Sequence, residues 1–139
     1  PYAYLGLQTI SRAEGGSVSQ LSELDGRVVA VELGSEAHQY LRLQMRDHGL
    51  QAEILAERTL EQAVEALRQG RADLVVCDRV EAASYIQADD LLGSEALLTA
   101  EPVVIAAPRT APTLQSEVDA ALRAMQEDGT LAQLEQRWF

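Results

Sequence analysis

The residues with chemical potential sit at two points in the chain. Val28-Val29-Ala30-Val31-Glu32 is an apolar run ending in an acid, and Leu33-Gly34-Ser35-Glu36 follows at once. Further on, Asp73-Leu74-Val75-Val76-Cys77 leads into Asp78. Each reads as a buried strand running into the start of a helix. Together they place a Gly-Ser helix N-terminus and an acidic strand end on the same rim of one sheet. Helix N-termini present unpaired N–H groups and the positive end of the helix dipole. In open α/β sheets that rim is where small ligands are held. The pattern points to recognition of a small molecule and makes no catalytic constellation. His38 and His48 have no Cys or second His at metal-ligand spacing and read as surface residues. Cys77 has no basic sequence neighbour on its strand to activate it and reads as a small core residue. No metal or cofactor is implied.

The elements that must position these residues are legible from their patterning. Val28 to Leu33 is almost wholly apolar, as a strand covered on both faces must be, with Glu32 the exception. Ser35 is a natural N-cap, and Glu36 falls in the first turn, where the dipole favours an acid. Tyr40, Leu41 and Met45 recur at helical spacing up to Asp47, and Gly49 fits the C′ position. Before this unit, Tyr4 to Ile10 reads as a strand, Ser11 to Ser17 as a polar loop and Val18 to Leu24 as a single helical turn. After it, Ala52 to Ala56 reads as a strand. Thr59-Leu60-Glu61-Gln62 is a capping box opening a helix with Leu60, Val64 and Leu67 on one stripe, closed by Gly70. A helical stretch over 79–87 follows Asp78, then a strand over Glu101 to Ala107 and a loop punctuated by Pro108 and Pro112. Leu114 to Glu127 reads as a helix ended by Asp128-Gly129. Thr130-Leu131-Ala132-Gln133 is a second capping box, opening a last helix through Trp138. The alternation implies an α/β three-layer sandwich with a mostly parallel sheet and helices on both faces.

Composition narrows the partners. A chain of 139 residues with 47% hydrophobic content suits one domain with a modest core. Its 22 acidic residues face 11 basic ones, every one an arginine, for a net charge of -11. Nucleic acid and anionic membrane surfaces want clustered cations and are poor partners for such a chain. No segment is continuously apolar over a bilayer's span. Cys77 is the single cysteine and forms no internal disulfide. The chain opens at Pro1 with no charged-then-apolar leader, and reads as a processed or excised piece.

Four phrases, in order along nearly the whole chain, resemble the extracellular solute-binding proteins of family 3, the polar-amino-acid receptors of ABC importers. Leu21-Ser22-Glu23-Leu24-Asp25-Gly26-Arg27-Val28-Val29-Ala30-Val31 resembles the family's approach to its central strand. Gly34-Ser35 resembles its Gly-Ser/Thr turn. Thr59 through Asp78 resembles its "t-x-x-e-a-l-x-a-L-x-x-G-k-a-D-a-v-v-x-D" stretch. Asp128-Gly129-Thr130-Leu131 with Trp138-Phe139 resembles its C-terminal signature. The resemblance implies one lobe of a type II periplasmic-binding-protein fold: residues 1–109 as the second lobe, and 110–139 as C-terminal helices that dock on the first. Pro1-Tyr2 falls at the family's hinge strand, so the first lobe is expected to be missing here.

The resemblance also implies site roles. Asp78 stands where the family binds the ligand's α-ammonium; the bland alternative is a helix N-cap. Gly34 and Ser35 stand where an amide and a hydroxyl meet the α-carboxylate; the bland alternative is an ordinary strand-to-helix turn. Glu36 replaces a usual Thr or Ser and would repel a carboxylate unless turned to solvent. Glu32 occupies a strand end that is usually apolar in the family. If Glu32, Glu36 and Asp78 face one cleft, they would select a basic amino acid, a diamine or a guanidino compound. The expected partners are that ligand, the missing first lobe and the membrane subunits of an ABC transporter, in a periplasmic or extracellular setting. Trp138 and Phe139, if left uncovered, could drive homodimer formation. Two other readings stand beside this one: an extracellular sensor domain, and a cyclohexadienyl-dehydratase-like enzyme, for which Glu32 and Glu36 would be the only unusual acids.

Overall fold

Side chains that alternate between two faces along Val28–Glu32 and Leu74–Asp78 build the middle layer. A computed structural model of the chain describes residues 1–87 and 90–138. In β3 (Val28–Glu32), Val29 and Val31 enter one apolar cluster while Ala30 enters another. In β5 (Leu74–Asp78), Leu74 and Val76 join the first and Val75 and Cys77 the second. Successive side chains of a strand point to opposite faces, so each face needs its own cover. Helix α1 (Glu36–His48) supplies Ala37 and Leu41 to one face. Helix α2 (Leu60–Arg68) supplies Leu60, Ala63, Val64 and Leu67 to the other. The result is the expected three-layer sandwich.

The sheet is mixed. Its order is β4-β3-β5-β2-β6, with β4 spanning Glu53–Glu57, β2 Leu7–Arg12 and β6 Leu91–Gly93. β3 runs parallel to β4 and β5, whereas β2 runs antiparallel to both β5 and β6. Four strands therefore share one direction and β2 opposes them. That reversal places Leu7, at the start of β2, opposite Asp78, at the end of β5.

Capping follows the sequence closely at three helices. Ser35 accepts from the His38 amide, Thr59 from the Gln62 amide and Asp78 from the Val80 amide. Gly49 closes α1 at φ 71 in the left-handed region. The single turn read over Val18 to Leu24 is a 3-10 turn at Leu21–Leu24, held by a reciprocal Gln20–Glu23 capping box. Other elements differ: the strand expected over Tyr4 to Ile10 is broken at Gly6 into Ala3–Leu5 and β2, which runs on to Arg12, and β6 lies where no strand was expected. α3 is only Arg79–Ala83, followed by turns, as the Ser84 and Tyr85 amides bond back three residues, to the Glu81 and Ala82 carbonyls, in the tighter 3-10 pattern. The strand read over 101–107 shrinks to β7 (Glu101–Val103), leaving Val104 and Ile105 exposed. The second capping box is replaced: Thr130 is already helical, and Asp128 accepts its amide.

The described chain forms two compact units. Leu5–Ala100 is the sandwich. The other contains Pro1–Tyr4 and the residues from Glu101 on. It holds a two-stranded ribbon of β1 (Ala3–Leu5) with β7, and the packed helices α4 (Pro112–Glu127) and α5 (Thr130–Trp138). Neither helix buries a residue; Leu114, Leu134 and Trp138 are all exposed. Phe139 lies outside the described residues.

Candidate functional site

β3 and β5 run parallel and end on the same rim, so Glu32 and Asp78, the last residues of each, come together there. A concavity of about 60 Å³ opens between them, lined by Glu32, Ser35, Glu36 and Asp78, with Glu81 from α3. Its walls are Leu7, Ala37, Leu60, Val76 and Cys77. Four of the five residues picked out from the sequence thus line one surface. Among the described residues, no arginine or histidine lines it. Elsewhere arginines meet acids directly, as in Arg71–Glu57 at 2.9 Å and Arg68–Asp90 at 2.8 Å.

Each side chain has an identifiable anchor. Asp78 is half-buried and its Oδ1 accepts the Val80 N–H at 2.7 Å, which is the capping role; a carboxylate keeps a second oxygen for another donor. Ser35 receives the His38 N–H on Oγ at 3.2 Å and sends its own N–H to the Glu32 carbonyl at 3.2 Å. Gly34 sits at φ 84, where a side chain would be strained, and makes the turn that swings Ser35 to the rim. Gly34 is not among the residues facing the concavity, and its N–H donates to His38 Nδ1 at 3.0 Å.

Glu81 went unnoticed in the sequence. It stands three residues after Asp78, the spacing of a capping box, and that was the available signal. Burial lifts its carboxyl above the ordinary carboxylate range. The negative charges of Asp78 and Glu32 add to the lift, and a hydrogen bond from the Asp78 backbone opposes it. Burial also pushes the Cys77 thiol up to about 12, helped by the charges of Glu81 and Asp78. That thiol is a neutral wall atom and not a nucleophile. Among the described residues, no group of three or more His, Cys, Asp or Glu could hold a metal ion. The arrangement suits a small cationic group lodged against an apolar wall. At about 60 Å³ it is far below the roughly 300 Å³ at which pockets begin to enclose a whole ligand.

Known proteins show the same architecture. A putative amino-acid ABC transporter-binding protein, PatH, from Vibrio harveyi is 31% identical over 144 residues, covering all of this chain and 56% of the relative. The L-cystine-binding protein TcyJ of Escherichia coli K12 is 26% identical over 142 residues, covering 52% of the relative. The chain thus spans about half the length of these relatives. Among solved structures, an ancestral cationic amino acid solute-binding protein superposes with a TM-score of 0.72 at 27% identity, all of this chain matching 60% of that one. A substrate-binding protein of a polar amino acid uptake transporter from Streptococcus thermophilus gives 0.82 at 19% identity over 55% of its chain, a likeness of fold. The family model of the bacterial extracellular solute-binding proteins, family 3, matches residues 30–139, and the chain belongs to that family.

Proposed function

We propose that this chain is the second lobe of an amino-acid receptor that feeds an ABC importer from the periplasmic or extracellular side. The observation that carries the reading is the meeting of Asp78, Glu32 and Ser35 on one small concavity at the strand-end rim. The names of the relatives, amino-acid and cystine binding proteins, support the ligand class. In this reading Asp78 receives the ligand's α-ammonium on its uncapped oxygen, a charge-assisted bond beside the apolar wall of Leu7 and Val76. Ser35 offers its hydroxyl to the carboxylate, with Gly34 shaping the turn. Glu32 and Glu36 set the negative potential around the ligand.

A half-site binds weakly because the other lobe must supply the remaining contacts. Closure of two lobes on a ligand is a population shift driven by contacts that bridge them. Leu33 (61% exposed) and Val80 (49% exposed) flank the site residues in sequence and are apolar surface suited to be covered on closure. The first lobe is likewise the natural cover for the exposed faces of α4 and α5.

Asp78→Asn tests the reading. The variant keeps an oxygen to cap α3, so the fold survives while the charge is lost. Binding of L-amino acids to the 139-residue chain, followed by amide NMR, should weaken at least tenfold, about 1.4 kcal/mol. Unchanged affinity in a folded Asp78→Asn chain would refute the assignment.

A further inference from the structure

β4 ends the sheet, and half of its backbone groups face away from it. The Glu53 N–H donates to the Arg27 carbonyl at 2.9 Å, and the Glu57 carbonyl accepts the Leu33 N–H at 2.8 Å. Along a paired strand, successive residues turn their polar groups alternately toward the partner and away from it. In the β3–β4 register it is therefore Glu53, Leu55 and Glu57 that bond to β3. Ile54 and Ala56 point their N–H and C=O outward, and neither has a backbone partner among the described residues. Pro and bulges, which commonly close such an edge, are absent from β4.

The same two residues line a concavity of about 550 Å³ between β4 and α1, completed by His38, Arg42, Met45 and Arg46. His38, Arg42 and Arg46 follow at four-residue steps and so stand on one face of α1. Among the described residues, this lining holds no carboxylate, in a chain with 22 acids and 11 bases. Arg42 is exposed and makes no ion pair among the described residues. Arg46 spends Nε and Nη2 on Asp47, at 2.6 and 2.9 Å, which leaves Nη1 for another acceptor. A second concavity of about 400 Å³ shares Met45 and reaches Gln51 and Ala52, so open surface runs lengthwise along the strand. A small anion would need only the arginines. Outward N–H and C=O groups two residues apart are what an added strand uses.

We propose that the outer edge of β4, with the facing side of α1, is a docking surface for an extended acidic segment of a partner protein, which adds to the sheet as a further strand. Its main chain bonds to Ile54 and Ala56. Every second side chain lies on the α1 side, where an acid meets Arg42 or Arg46. A second copy of this chain fits worse. Antiparallel pairing of two β4 strands about Leu55 sets Glu53 of each copy opposite Glu57 of the other, like charges directly opposed. It also brings two arginine stripes together. A nucleic acid lacks the alternating N–H and C=O of a strand, and its phosphates would meet a net charge of -11. The surface shares no lining residue with the strand-end concavity.

The probe is acetyl-Thr-Glu-Thr-Glu-Thr-Glu-Thr-amide, titrated into the 139-residue chain by amide NMR. Shifts are expected at 42–46 and 52–57, with amide exchange slowed at Ile54 and Ala56. The same peptide with Lys for Glu should bind about tenfold or more weakly. The Glu peptide N-methylated along its backbone should lose about tenfold as well. Arg42→Gln combined with Arg46→Gln should weaken the Glu peptide about fivefold. Ala56→Pro removes an outward N–H that the sheet does not use, at an edge position where Pro is tolerated, and should weaken it about tenfold. Should Ala56→Pro fail to fold, the arginine variant and the N-methylated peptide carry the test. The proposal is overturned if the Lys peptide binds as well as the Glu peptide, or if the Glu peptide leaves 52–57 unmoved. It is equally overturned if the N-methylated peptide keeps its affinity, which would mean a site for anions alone. Concentration-dependent shifts at 52–57 in the chain by itself would assign the edge to a second copy and overturn it too.

Discussion

Glu81 and Cys77 show how burial, with nearby carboxylates adding to it, shifts a titrating group. Both sit against the same wall, and both hold their protons more tightly than they would in water. For Cys77 the consequence for stability has a definite sign. The unfolded thiol ionises near 9.0, and burial raises the folded one to about 12. Between those values the unfolded chain loses a proton that the folded chain keeps, so stability falls as pH rises through that window. Denaturant midpoints should drop between about pH 9 and about pH 12, and drop less in Cys77→Ala. The native thiol should also resist iodoacetamide at neutral pH and react only on unfolding. Rapid labelling of the native chain would mean that the wall is open. Asp78 was legible in the sequence because a strand-end acid before a helix is a local pattern. Glu81 was not read, since as the third residue after a cap it looks like routine capping. What sets it apart is the approach of Glu32 from a strand distant in sequence.

At the scale of elements, caps and apolar stripes carried most of the information. Ser35, Thr59 and Gly49 mark helix ends that the structure reproduces, because each depends on contacts within one turn. The direction of β2 was not legible. Its residues read as a strand either way, and its antiparallel pairing with β5 is decided across the sheet. The strand read over 101–107 failed for a related reason: Pro102 lies in β7, and only β1 pairs with it. Gly6 was also passed over. It sits at φ 151, and a Cβ there would collide with the Thr99 carbonyl oxygen. Its own carbonyl receives the Arg79 N–H at 2.9 Å, beside Asp78, and Leu7 N–H meets Thr99 Oγ1 at 2.9 Å. Gly6→Ala should destabilise the chain by about 3 kcal/mol, from strain plus a backbone clash. Gly34→Ala, with nothing within 4 Å, should lose about 1 kcal/mol from conformation alone. Equal losses in urea melts would contradict that distinction.

For the molecule as a whole, a mixed sheet with helices on both faces fits the family to which the chain belongs. The strand-end rim gathers acids from β3, β5 and α3, and the N-terminal turn of α1, around a concavity too small to enclose a ligand by itself. Helices α4 and α5 leave Leu114, Leu134 and Trp138 on the surface. Residue types along the chain told of recognition and family. Which acids converge, and which turn amides stay available, depended on packing between elements far apart in sequence. The most direct measurement is an amide shift map of the 139-residue chain titrated with L-arginine to millimolar excess. Shifts concentrated at 32–36 and 76–81, absent in Asp78→Asn, are the predicted result. Shifts spread elsewhere, or none in this rim at saturation, would contradict the assignment of a ligand site to this lobe.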